Sequence, residues 1–474
     1  MDADLEKILR KEEHPLLWEP FPETATIPVW PLLRFEVITH LYYLKKKDLQ
    51  TPALPPAPAS WWRKKIHRIR SAFYDPMRQD DSPADAVFFT KGKSLLPGPA
   101  GNWTHPYADR LIKVCGPQSI VIEKSHLATL RPKGRPCRFR SDEPIEKRAH
   151  ALSRSLRKSA NLASRSEAFV KKIEGLFAQP LDEQTRQRWK ARVHETAAKM
   201  RAFEDLHDRL FQIGGFKIAI LEDAHYGDTA LLVRSANRKG VITGELQHGI
   251  LNENHTAYAM SSKTRAQLDK LGMLPKNFLV WGRFWGQTLD PSIRAIPVGK
   301  DGVSPRREVP PARGAKDKRL LVISSGCSLK LWNDLLPLIT ADLSALGWRI
   351  RFRPHPSERS AASDLFPLRP PVELDPYPRL ADSLSEASVV LGDFSTVLYE
   401  AAEAGVPVIL WENEGSRLYS DPGLGVQIRR REELVEILRT GQQVPSKINP
   451  NDLIDPNGLD HFRNFLKENG VQLA

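Results

Sequence analysis

One histidine of the chain stands between two prolines at the end of an apolar run. The stretch IRFRPHPSER places His355 between Pro354 and Pro356, just after Arg353. Both prolines restrict the backbone beside the histidine. A rigid imidazole at a strand end could donate a hydrogen bond to a phosphate oxygen, and would add positive charge if protonated. The alternative is a histidine that merely caps the strand; the flanking prolines favour the functional interpretation.

A second candidate anion site follows the apolar run SVVLGD. Ser395 and Thr396 open a predicted helix directly after Asp393. The start of a helix carries free backbone N–H groups and about half a positive charge, so it attracts anions. Capping of the helix by Ser395 or Asp393 would use the same atoms, and the sequence permits both interpretations. Glu400, one turn further on, could reach a ribose hydroxyl or could be a surface glutamate.

Small residues follow the apolar run RLLVI. In LLVISSGCSLKLW, Ser324, Ser325 and Gly326 would let a ligand approach the backbone closely. The stretch is not a dinucleotide fingerprint, because G-x-G-x-x-G is absent, and no phosphate-binding P-loop or zinc motif occurs in the chain. We therefore expect neither NAD chemistry nor a metal held by carboxylates.

The first half of the chain offers a candidate general base. In VITGELQHGILNENHTAY, Glu245, Gln247 and His248 follow a predicted strand. A histidine at a strand end, with a pKa near neutrality, suits proton abstraction, although a buried structural histidine is the alternative. His255 and Tyr258 could orient an acceptor. The preceding strand ends in LEDAHYGD, which adds three polar side chains to the same edge: Glu222, Asp223 and His225.

The elements that position these residues alternate between strands and helices. Short apolar runs such as AVFFT, SIVIEKS, FKIAILED and NFLVWG are separated by helical patterns, and the alternation restarts at RLLVISS. This pattern predicts an α/β fold with parallel sheets covered by helices. Ligands of such sheets bind at the carboxyl ends of the strands. We expect two Rossmann-type domains that face a cleft, with an N-terminal extension and an exposed helical insertion at about 144–212.

The predicted boundaries follow composition. At 474 residues the chain is longer than a single core of roughly 250 to 300 residues. The Pro-rich stretch TPALPPAPAS and the stretch KDGVSPRREVPPARGAKDKR read as connectors. The predicted units are an N-terminal extension with a basic aromatic segment (1–80), an acceptor domain (81–302), a linker (303–317), a nucleotide-donor domain (318–445) and a helical tail (446–474).

Composition excludes several protein classes. Hydrophobic residues make up 41% of the chain and charged residues 27%, and no run of 18 apolar residues occurs. The charged start MDADLEKILRKEEHP lacks the apolar core of a signal peptide, so we expect a cytosolic protein. Cys115, Cys137 and Cys327 are too widely spaced to suggest a metal site or a disulfide framework.

The net charge of +13 points to an anionic partner. Thirteen Lys and Arg against four acids lie between Arg131 and Lys172, and the stretch WWRKKIHRIRSAFYD combines basic and aromatic residues. Both are compatible with solvated helix faces. The alternative is peripheral contact with an anionic membrane, which suits a basic amphipathic segment with Trp and Phe. No nucleic-acid motif accompanies the charge, so we do not expect nucleic-acid binding.

Taken in order, four stretches resemble a known family. GELQHG, FLVWGRFW, RFRPHP and GDFSTVLYEAAEAGVPVILW are similar to bacterial capsule and lipopolysaccharide glycosyltransferases of the GT-B fold with an HP motif and a downstream Ser/Thr motif, such as polysialyltransferases and CDP-glycerol glycerophosphotransferases. The resemblance covers about Phe216 to Arg439. Residues 1 to about 210 carry no motif of this kind.

The resemblance implies roles for individual residues. His355, Ser395 and Thr396 would bind the donor phosphates, and Glu400 would lie near the nucleotide. Arg353, Ser324 and Ser325 complete the predicted donor site. Glu245 or His248 would act as the base in the acceptor half, where the predicted acceptor-binding residues are Gln247, His255, Tyr258 and Glu222. No metal ligand and no cofactor beyond the nucleotide-sugar donor is implied. A second acid pair typical of a retaining enzyme is not evident, so the stereochemistry stays open.

The implied reaction is transfer of a sugar from an activated nucleotide to a growing surface polysaccharide or lipid-linked glycan at the inner membrane face. Polyol-phosphate transfer from a CDP-glycerol type of donor is an alternative, because it uses the same histidine and hydroxyl groups on phosphorus. A nucleotide-sugar 2-epimerase shares the architecture but needs no acceptor. A nonenzymatic basic binding protein is the fourth possibility, and it predicts no loss of function on His355→Ala.

Overall fold

A computed structural model describes most of the chain. It covers residues 1–24, 26–46, 60–78, 84–97, 102–126, 138–301, 318–356, 358, 372–441 and 446–473. The predicted linker 303–317, Cys137 and all of the Pro-rich connector except Ser60 lie outside the described residues.

Seven strands of the first domain form a parallel sheet in the described residues. In chain order its strands are β1 (Ala86–Lys91), β4 (Ser119–Lys124), β5 (Arg138–Ser141), β6 (Ile218–Glu222), β7 (Ile242–Leu246), β8 (Asn277–Val280) and β9 (Arg294–Pro297), while β2 (Leu96–Pro97) and β3 (Trp103–Thr104) form a separate antiparallel pair. The sheet order is β5-β4-β1-β6-β7-β8-β9. The order reverses between β1 and β6, which is where an open parallel sheet leaves a crevice for a ligand.

The second domain contains a parallel sheet of six described strands. They are β10 (Lys318–Ile323), β11 (Trp348–Arg353), β12 (Val372–Leu374), β13 (Val389–Gly392), β14 (Val408–Trp411) and β15 (Val426–Ile428). Their order is β12-β11-β10-β13-β14-β15, so this sheet reverses between β10 and β13. Two parallel-sheet α/β domains confirm the predicted fold class, and both reversal points follow strands whose ends carry predicted site residues.

Helices cover the sheets and extend the chain at both ends. The N-terminal extension contains Ala3–Glu12, Trp30–Tyr43 and Trp61–Ala72. The first domain contains Asp109–Cys115, Glu143–Leu152, Ala160–Phe177, Glu183–Gly214, Thr229–Arg238, Ser262–Lys270 and Arg283–Gly286. The second domain contains Leu329–Ala345, Leu380–Glu386, Thr396–Glu403, Glu414–Tyr419 and Arg431–Thr440, followed by Pro450–Leu453 and Gly458–Glu468.

The helical insertion is present, but it is not an exposed hairpin. Helices Ala160–Phe177 and Glu183–Gly214 pack together, and the second begins at Asp182, whose Oδ1 accepts the Thr185 N–H at 2.8 Å. Phe169 and Trp189 are at most 3% exposed. The prediction of an exposed hairpin was wrong because the many charged residues lie on the outer faces and mask an apolar stripe that joins the core.

The N-terminal extension is part of the first domain's core rather than a separate arm. Leu5, Ile8 and Trp30 pack in the same apolar cluster as the helical insertion. A buried ion pair joins its first two helices. Arg34 Nε is 2.6 Å from Glu12 Oε1, and these side chains are 2% and 0% exposed. The Arg34 guanidinium also donates to the backbone carbonyls of Ala257, at 3.2 Å, and Ala259, at 2.9 Å. The extension therefore supports the loop that follows β7.

The C-terminal helix Gly458–Glu468 returns to the first domain. Phe462, Phe465 and Leu466 are at most 1% exposed and join the cluster that contains Phe88 and Val121. The chain thus crosses between the domains a second time after the sheet of the second domain is complete.

No helix among the described segments is long and apolar enough to cross a bilayer.

We predict that Glu12→Gln destabilises the protein. Loss of the carboxylate leaves the Arg34 charge buried without its counter-ion, and breaking such a pair costs about 3 to 5 kcal/mol of unfolding free energy. Glu6→Gln is the matched control, because its partner Arg10 is 75% exposed and exposed pairs contribute about 0 to 1 kcal/mol. Urea-induced unfolding of both variants measures the difference; equal, small changes would show that the buried pair is dispensable.

Candidate active site

The reversal point of the first sheet holds a group of charged side chains. Asp223 directly follows β6 and has a φ of 60°, a left-handed conformation that Asp tolerates better than most residues. Its Oδ1 lies 3.0 Å from Nε2 of His248, and its Oδ2 contacts Nζ of Lys91 at the end of β1. Because β1, β6 and β7 are neighbours in the sheet, three strand ends deliver these groups to one place.

The charge on Asp223 controls the protonation of His248. Desolvation by itself lowers the pKa of His248, but the hydrogen bond and the negative charge of Asp223 outweigh this and raise the pKa above its ordinary value of 6.5. Burial conversely raises the pKa of Asp223, but the contacts with His248 and Lys91 outweigh it and hold this pKa well below its usual range. The His248 side chain is 22% exposed. The raised pKa favours the imidazolium, so the Asp223 carboxylate stabilises a proton held on this ring.

Glu245 and Gln247 are held inside the protein. Glu245 is fully buried, its Oε2 contacts Nδ1 of His225, and its Oε1 accepts the Tyr258 hydroxyl at 3.1 Å. Gln247 is also fully buried, and its Oε1 accepts the Trp281 backbone N–H at 2.7 Å. Both carboxylate oxygens of Glu245 are thus occupied, so of the two predicted bases His248 has the more accessible position.

His255 and Tyr258 form an aromatic wall around Tyr226. The Tyr226 hydroxyl lies 3.3 Å from His255 Nε2, and the rings of His255 and Tyr258 are 4.8 Å apart. Burial, followed by the positive charge of His248, lowers the pKa of His255 to about 3. A neutral His255 beside His248 can exchange hydrogen bonds without adding charge. The predicted acceptor contacts of both residues stay predictions.

Glu222 is buried between β6 and the loop after β1. Its Oε2 lies 2.9 Å from His105 Nε2 and accepts the Lys91 backbone N–H at 2.8 Å, and its other oxygen accepts the Ser94 hydroxyl. These contacts join three segments of the first domain. Glu222 is 3% exposed, and the partners described above are all protein groups. Its predicted contact with an acceptor stays a prediction.

At the second sheet, the loops after β10 and β13 meet. The Ser325 hydroxyl donates to Asp393 Oδ2 at 3.4 Å, and the Ser328 hydroxyl donates to Asp393 Oδ1 at 3.2 Å. Burial raises the pKa of Asp393 to about 6. Ser324 is 2% exposed, and its Oγ lies 3.3 Å from Ser328 Oγ. The loop after β10 is rich in hydroxyl groups, and Ser325 is partly accessible. Donor binding by Ser324 and Ser325 stays a prediction.

His355 packs against Gly326. A Cβ at Gly326 would lie 3.0 Å from His355 Nδ1, and Gly326 has a φ of 90°, so only glycine suits this position. The His355 backbone N–H donates to Glu358 Oε2 at 3.1 Å. Partial desolvation lowers the pKa of the imidazole, so it is neutral at pH 7. The ring is exposed at the carboxyl edge of the sheet, where it can donate a hydrogen bond to a ligand.

Ser395, Thr396 and Arg353 lie at the same edge. Ser395 caps the helix Thr396–Glu403 by accepting the Val397 N–H at 3.2 Å. Both hydroxyl residues are half-buried, and their role in phosphate binding stays a prediction. The guanidinium of Arg353 contacts Asp375 and donates to the Tyr377 carbonyl at 2.9 Å and to the Ser383 hydroxyl at 2.8 Å. These contacts hold β11 to the next helix, which is a structural role that the sequence did not predict.

Glu400 pairs with a lysine of the first domain. Its Oε1 lies 2.5 Å from Lys300 Nζ, and the two side chains are 7% and 9% exposed. Lys300 Nζ also lies 4.5 Å from the ring centre of Trp281. Glu400 is thus not a surface glutamate. It joins the two domains, and the predicted contact with ribose stays a prediction.

A segment of the second domain contacts the loop that follows β7. Asn252 and Asn254, in the loop after β7, donate to the Leu418 carbonyl at 2.7 and 2.9 Å. Beside Leu418, Tyr419 lies with its ring 5.4 Å from Phe394, and the Ser420 hydroxyl donates to the Asp393 carbonyl at 2.8 Å. Segment 414–420 therefore connects the loop of His248 with the loop of Asp393.

The sequence pattern places Asp223 at this edge without assigning it a role, and Lys91, His105 and Lys300 are not among the predicted site residues. Lys91 ends β1 and Asp223 directly follows β6, and this position at a strand end is the signal for both. His105 and Lys300 carried no local signal, because their partners are more than 95 residues away in the chain. Within the described ranges, no three His, Cys, Asp or Glu side chains converge as metal ligands would, so we assign no metal ligands.

Comparison with known proteins gives structural likenesses only. No protein-family model and no curated protein matches the chain. S. aureus MnaA, solved with UDP, is 11% identical with a TM-score of 0.44, over 81% of this chain and 96% of that chain. UDP-GlcNAc 2-epimerase from Methanocaldococcus jannaschii is 10% identical with a TM-score of 0.44, over 81% and 99%. The glycosyltransferase SnogD from Streptomyces nogalater is 13% identical with a TM-score of 0.38, over 82% and 95%. These low values say nothing about which reaction this chain's residues perform.

We predict that Asp223→Asn lowers the pKa of His248. Asn tolerates the left-handed backbone, and desolvation then acts without the opposing carboxylate charge. NMR titration of the histidine ring protons measures this, with the His248 signal assigned from His248→Gln. The folded-state pKa of His248 lies above the ordinary value of 6.5. Pairing with Asp223 therefore contributes its full stabilisation of the fold below pH 6.5, and this contribution disappears as the pH rises through the folded-state pKa.

Asp228→Asn is the control for this titration, since Asp228 lies in the same loop, is 32% exposed and pairs with Arg192. The control should leave the His248 titration unchanged. An unchanged pKa in Asp223→Asn as well would show that the two side chains are not coupled.

Proposed function

We propose that the protein is a nucleotide-sugar-dependent glycosyltransferase that extends a surface polysaccharide or a lipid-linked glycan. The observation that carries this proposal is the Asp223–His248 pair, a partly exposed imidazole 3.0 Å from a buried carboxylate. Segment 414–420 connects the loop of His248 with the hydroxyl-rich loops of the second domain. The family resemblance of these stretches, noted above, supports the same assignment.

In the proposed reaction, His248 Nε2 is freed from Asp223 or its ring turns, and the imidazole takes the proton of an acceptor hydroxyl. The acceptor oxygen then forms a bond to the anomeric carbon of the donor. The bond between that carbon and the phosphate oxygen breaks, and its electron pair leaves with the nucleotide. His355 and the start of helix Thr396–Glu403 are suited to stabilise the charge that develops on the leaving phosphate. The negative charge of Asp223 stabilises the imidazolium until the proton is released to water.

The proposal separates the donor and acceptor halves experimentally. We expect His355→Ala to reduce the stabilisation by nucleotides, because it removes a proposed phosphate contact, and His248→Ala to leave that stabilisation intact. A nucleotide at 100 times its Kd raises the unfolding free energy by about 2.7 kcal/mol. Thermal unfolding with CMP, UDP and GDP and their sugar derivatives measures this. If no nucleotide stabilises the parent protein, the proposed function is wrong.

Turnover tests the base. We expect His248→Ala to slow release of the nucleotide from its sugar by roughly a hundredfold or more, the usual contribution of one positioned proton-transfer group. Release is measured with added glycan or with water as the acceptor. Glu245→Gln is the comparison variant: a larger loss there than in His248→Ala would assign the base to Glu245. The mass of the product distinguishes sugar transfer from polyol-phosphate transfer. Epimerisation needs no acceptor and leaves the mass of the sugar unchanged, so the configuration of the sugar identifies it.

We further propose that helix Trp61–Ala72 contacts an anionic membrane. Trp62, Ile66, Ile69 and Phe73 are spaced 4, 3 and 4 residues apart on one face and are 54 to 68% exposed. The opposite face, with His67 and Ser71, is buried against the first domain. Lys64, Lys65 and Arg68 flank the apolar face and are exposed. An apolar stripe with basic flanks suits the headgroup region of a bilayer.

Vesicle binding tests this contact. Replacing Lys64, Lys65 and Arg68 with Gln should weaken binding to phosphatidylglycerol vesicles by roughly a hundredfold, at about 1 kcal/mol for each basic residue. Ile66→Ser with Ile69→Ser should weaken binding to the same vesicles as well. Leu338→Ser is the matched control, because Leu338 is 56% exposed on the second domain. Cosedimentation measures binding; equal affinity of all variants, or equal binding to pure phosphatidylcholine, contradicts the proposal.

A further inference from the structure

A large pocket adjoins the Asp223–His248 pair on the side of the N-terminal extension. It has a volume of about 860 Å³ and lies between helix Trp30–Tyr43 and the carboxyl ends of β1, β4 and β6. Tyr226 and Lys91 line it. The Tyr226 ring lies 5.5 Å from the His248 ring, and Lys91 contacts Asp223. The pocket is therefore separated from the proposed base by one layer of side chains.

The polar lining of the pocket is predominantly cationic. Lys91, Lys93, Lys124 and Arg192 contribute positive charges, and the carboxylates of Glu36 and Asp228 oppose them. Lys91 is in close contact with Asp223, whereas the other ion pairs are long: Arg192 lies 3.4 Å from Asp228 and 3.6 Å from Glu36, Lys124 lies 3.4 Å from Glu146, and Lys93 lies 3.7 Å from Asp223. Lys93 and Lys124 are 58% and 57% exposed. Their ammonium groups can thus turn to an incoming anion at little cost in lost contacts.

The apolar part of the lining suits a sugar or another ring-shaped ligand. Phe35, on the helix of the N-terminal extension, packs on Tyr226 with ring centres 4.3 Å apart, and Tyr43 lies on the same helix. Aromatic faces beside charged groups are a common arrangement for binding polar rings that carry charge. The ligand class indicated by the whole lining is an acidic sugar.

A smaller cavity of about 100 Å³ shares Lys91 and Lys124 with the lining of this pocket. Thr90 and His207 line it and are 4% and 9% exposed. Thr90 Oγ1 and His207 Nδ1 have no hydrogen-bond partner among the described residues. Buried polar atoms without partners are few in folded proteins, and these two lie where a bound group or an ordered water would satisfy them.

We propose that this pocket binds an acidic group of the acceptor, a phosphate or a carboxylate, and so anchors the acceptor one layer of side chains from His248. The description of the ligand as an acceptor rests on the transferase function proposed above. The N-terminal extension then has a direct role, because its helix Trp30–Tyr43 forms one wall of the acceptor site.

The test uses a matched set of small probes without any nucleotide. Glucose, glucuronate and glucose 6-phosphate share a ring and differ in charge. We expect glucuronate, glucose 6-phosphate or both to bind with a Kd of about 10 mM or tighter, and glucose to bind at least tenfold more weakly. Saturation-transfer NMR measures this, and the preferred probe identifies the acidic group as carboxylate or phosphate. Absence of binding by both acidic probes, or equal binding of glucose, overturns the proposal.

The variant K93Q/K124Q should weaken binding of the acidic probe about tenfold, since it removes two charges from the pocket. K171Q/K172Q is the matched control, because it removes the same charge from helix Ala160–Phe177 at positions 67% and 41% exposed. Added salt should weaken acidic-probe binding to the parent protein and leave glucose unaffected. If K93Q/K124Q binds like its control, the pocket is not the site.

The outcome is distinguishable from failure of the proposed function. Nucleotide stabilisation reports the donor half, and K93Q/K124Q should leave it unchanged. Acidic-sugar binding without nucleotide stabilisation would support the proposed pocket and contradict the proposed transferase function. Nucleotide stabilisation without acidic-sugar binding would support the transferase function and contradict the pocket.

Discussion

The buried ion pair of Glu12 and Arg34 is the contact on which the loop after β7 depends. Two charges inside a protein are tolerated only if all their hydrogen-bonding groups find partners. Arg34 satisfies this requirement by binding Glu12 within the extension and the carbonyls of Ala257 and Ala259 in the loop after β7. The same loop carries His255 and Tyr258. The position of the aromatic wall is therefore fixed by a residue more than 200 positions earlier, and the extension belongs to the site.

Local sequence pattern was sufficient to locate the strand ends. The runs before Glu222, His248, Ser324 and Ser395 all became parallel strands, and each of these residues lies at the carboxyl edge. Parallel strands buried on both faces read as short apolar runs bounded by polar residues, so their ends are among the clearest signals in a sequence. The weaker element β12, of three residues, and the edge strands β5 and β9 had no such signal and were not predicted.

The partners of buried charges could not be predicted in the same way. Glu400 looked like a ribose ligand or a surface residue, yet it pairs with Lys300 across the domains; Arg353 looked like a donor ligand, yet it binds Asp375. The sequence shows that a charged residue needs a partner if it is buried, but it does not show which residue that partner is. The partner depends on how distant segments pack. Glu245 and His248 illustrate the same limit. Only three-dimensional burial distinguishes the enclosed carboxylate from the partly exposed imidazole.

The return of the last helix to the first domain has a consequence for how the protein is made. Phe462, Phe465 and Leu466 complete a core that also contains Phe88 and Val121, so the sheet synthesised first lacks part of its apolar cover until helix Gly458–Glu468 has left the ribosome. One face of the second sheet has its core within 320–438, whereas its other face packs with Phe278, Trp281 and Leu453. Although domains often fold in the order of their synthesis, here the first domain's core is completed by residues that are made after the second sheet. Until then, part of the apolar surface of the first sheet stays uncovered.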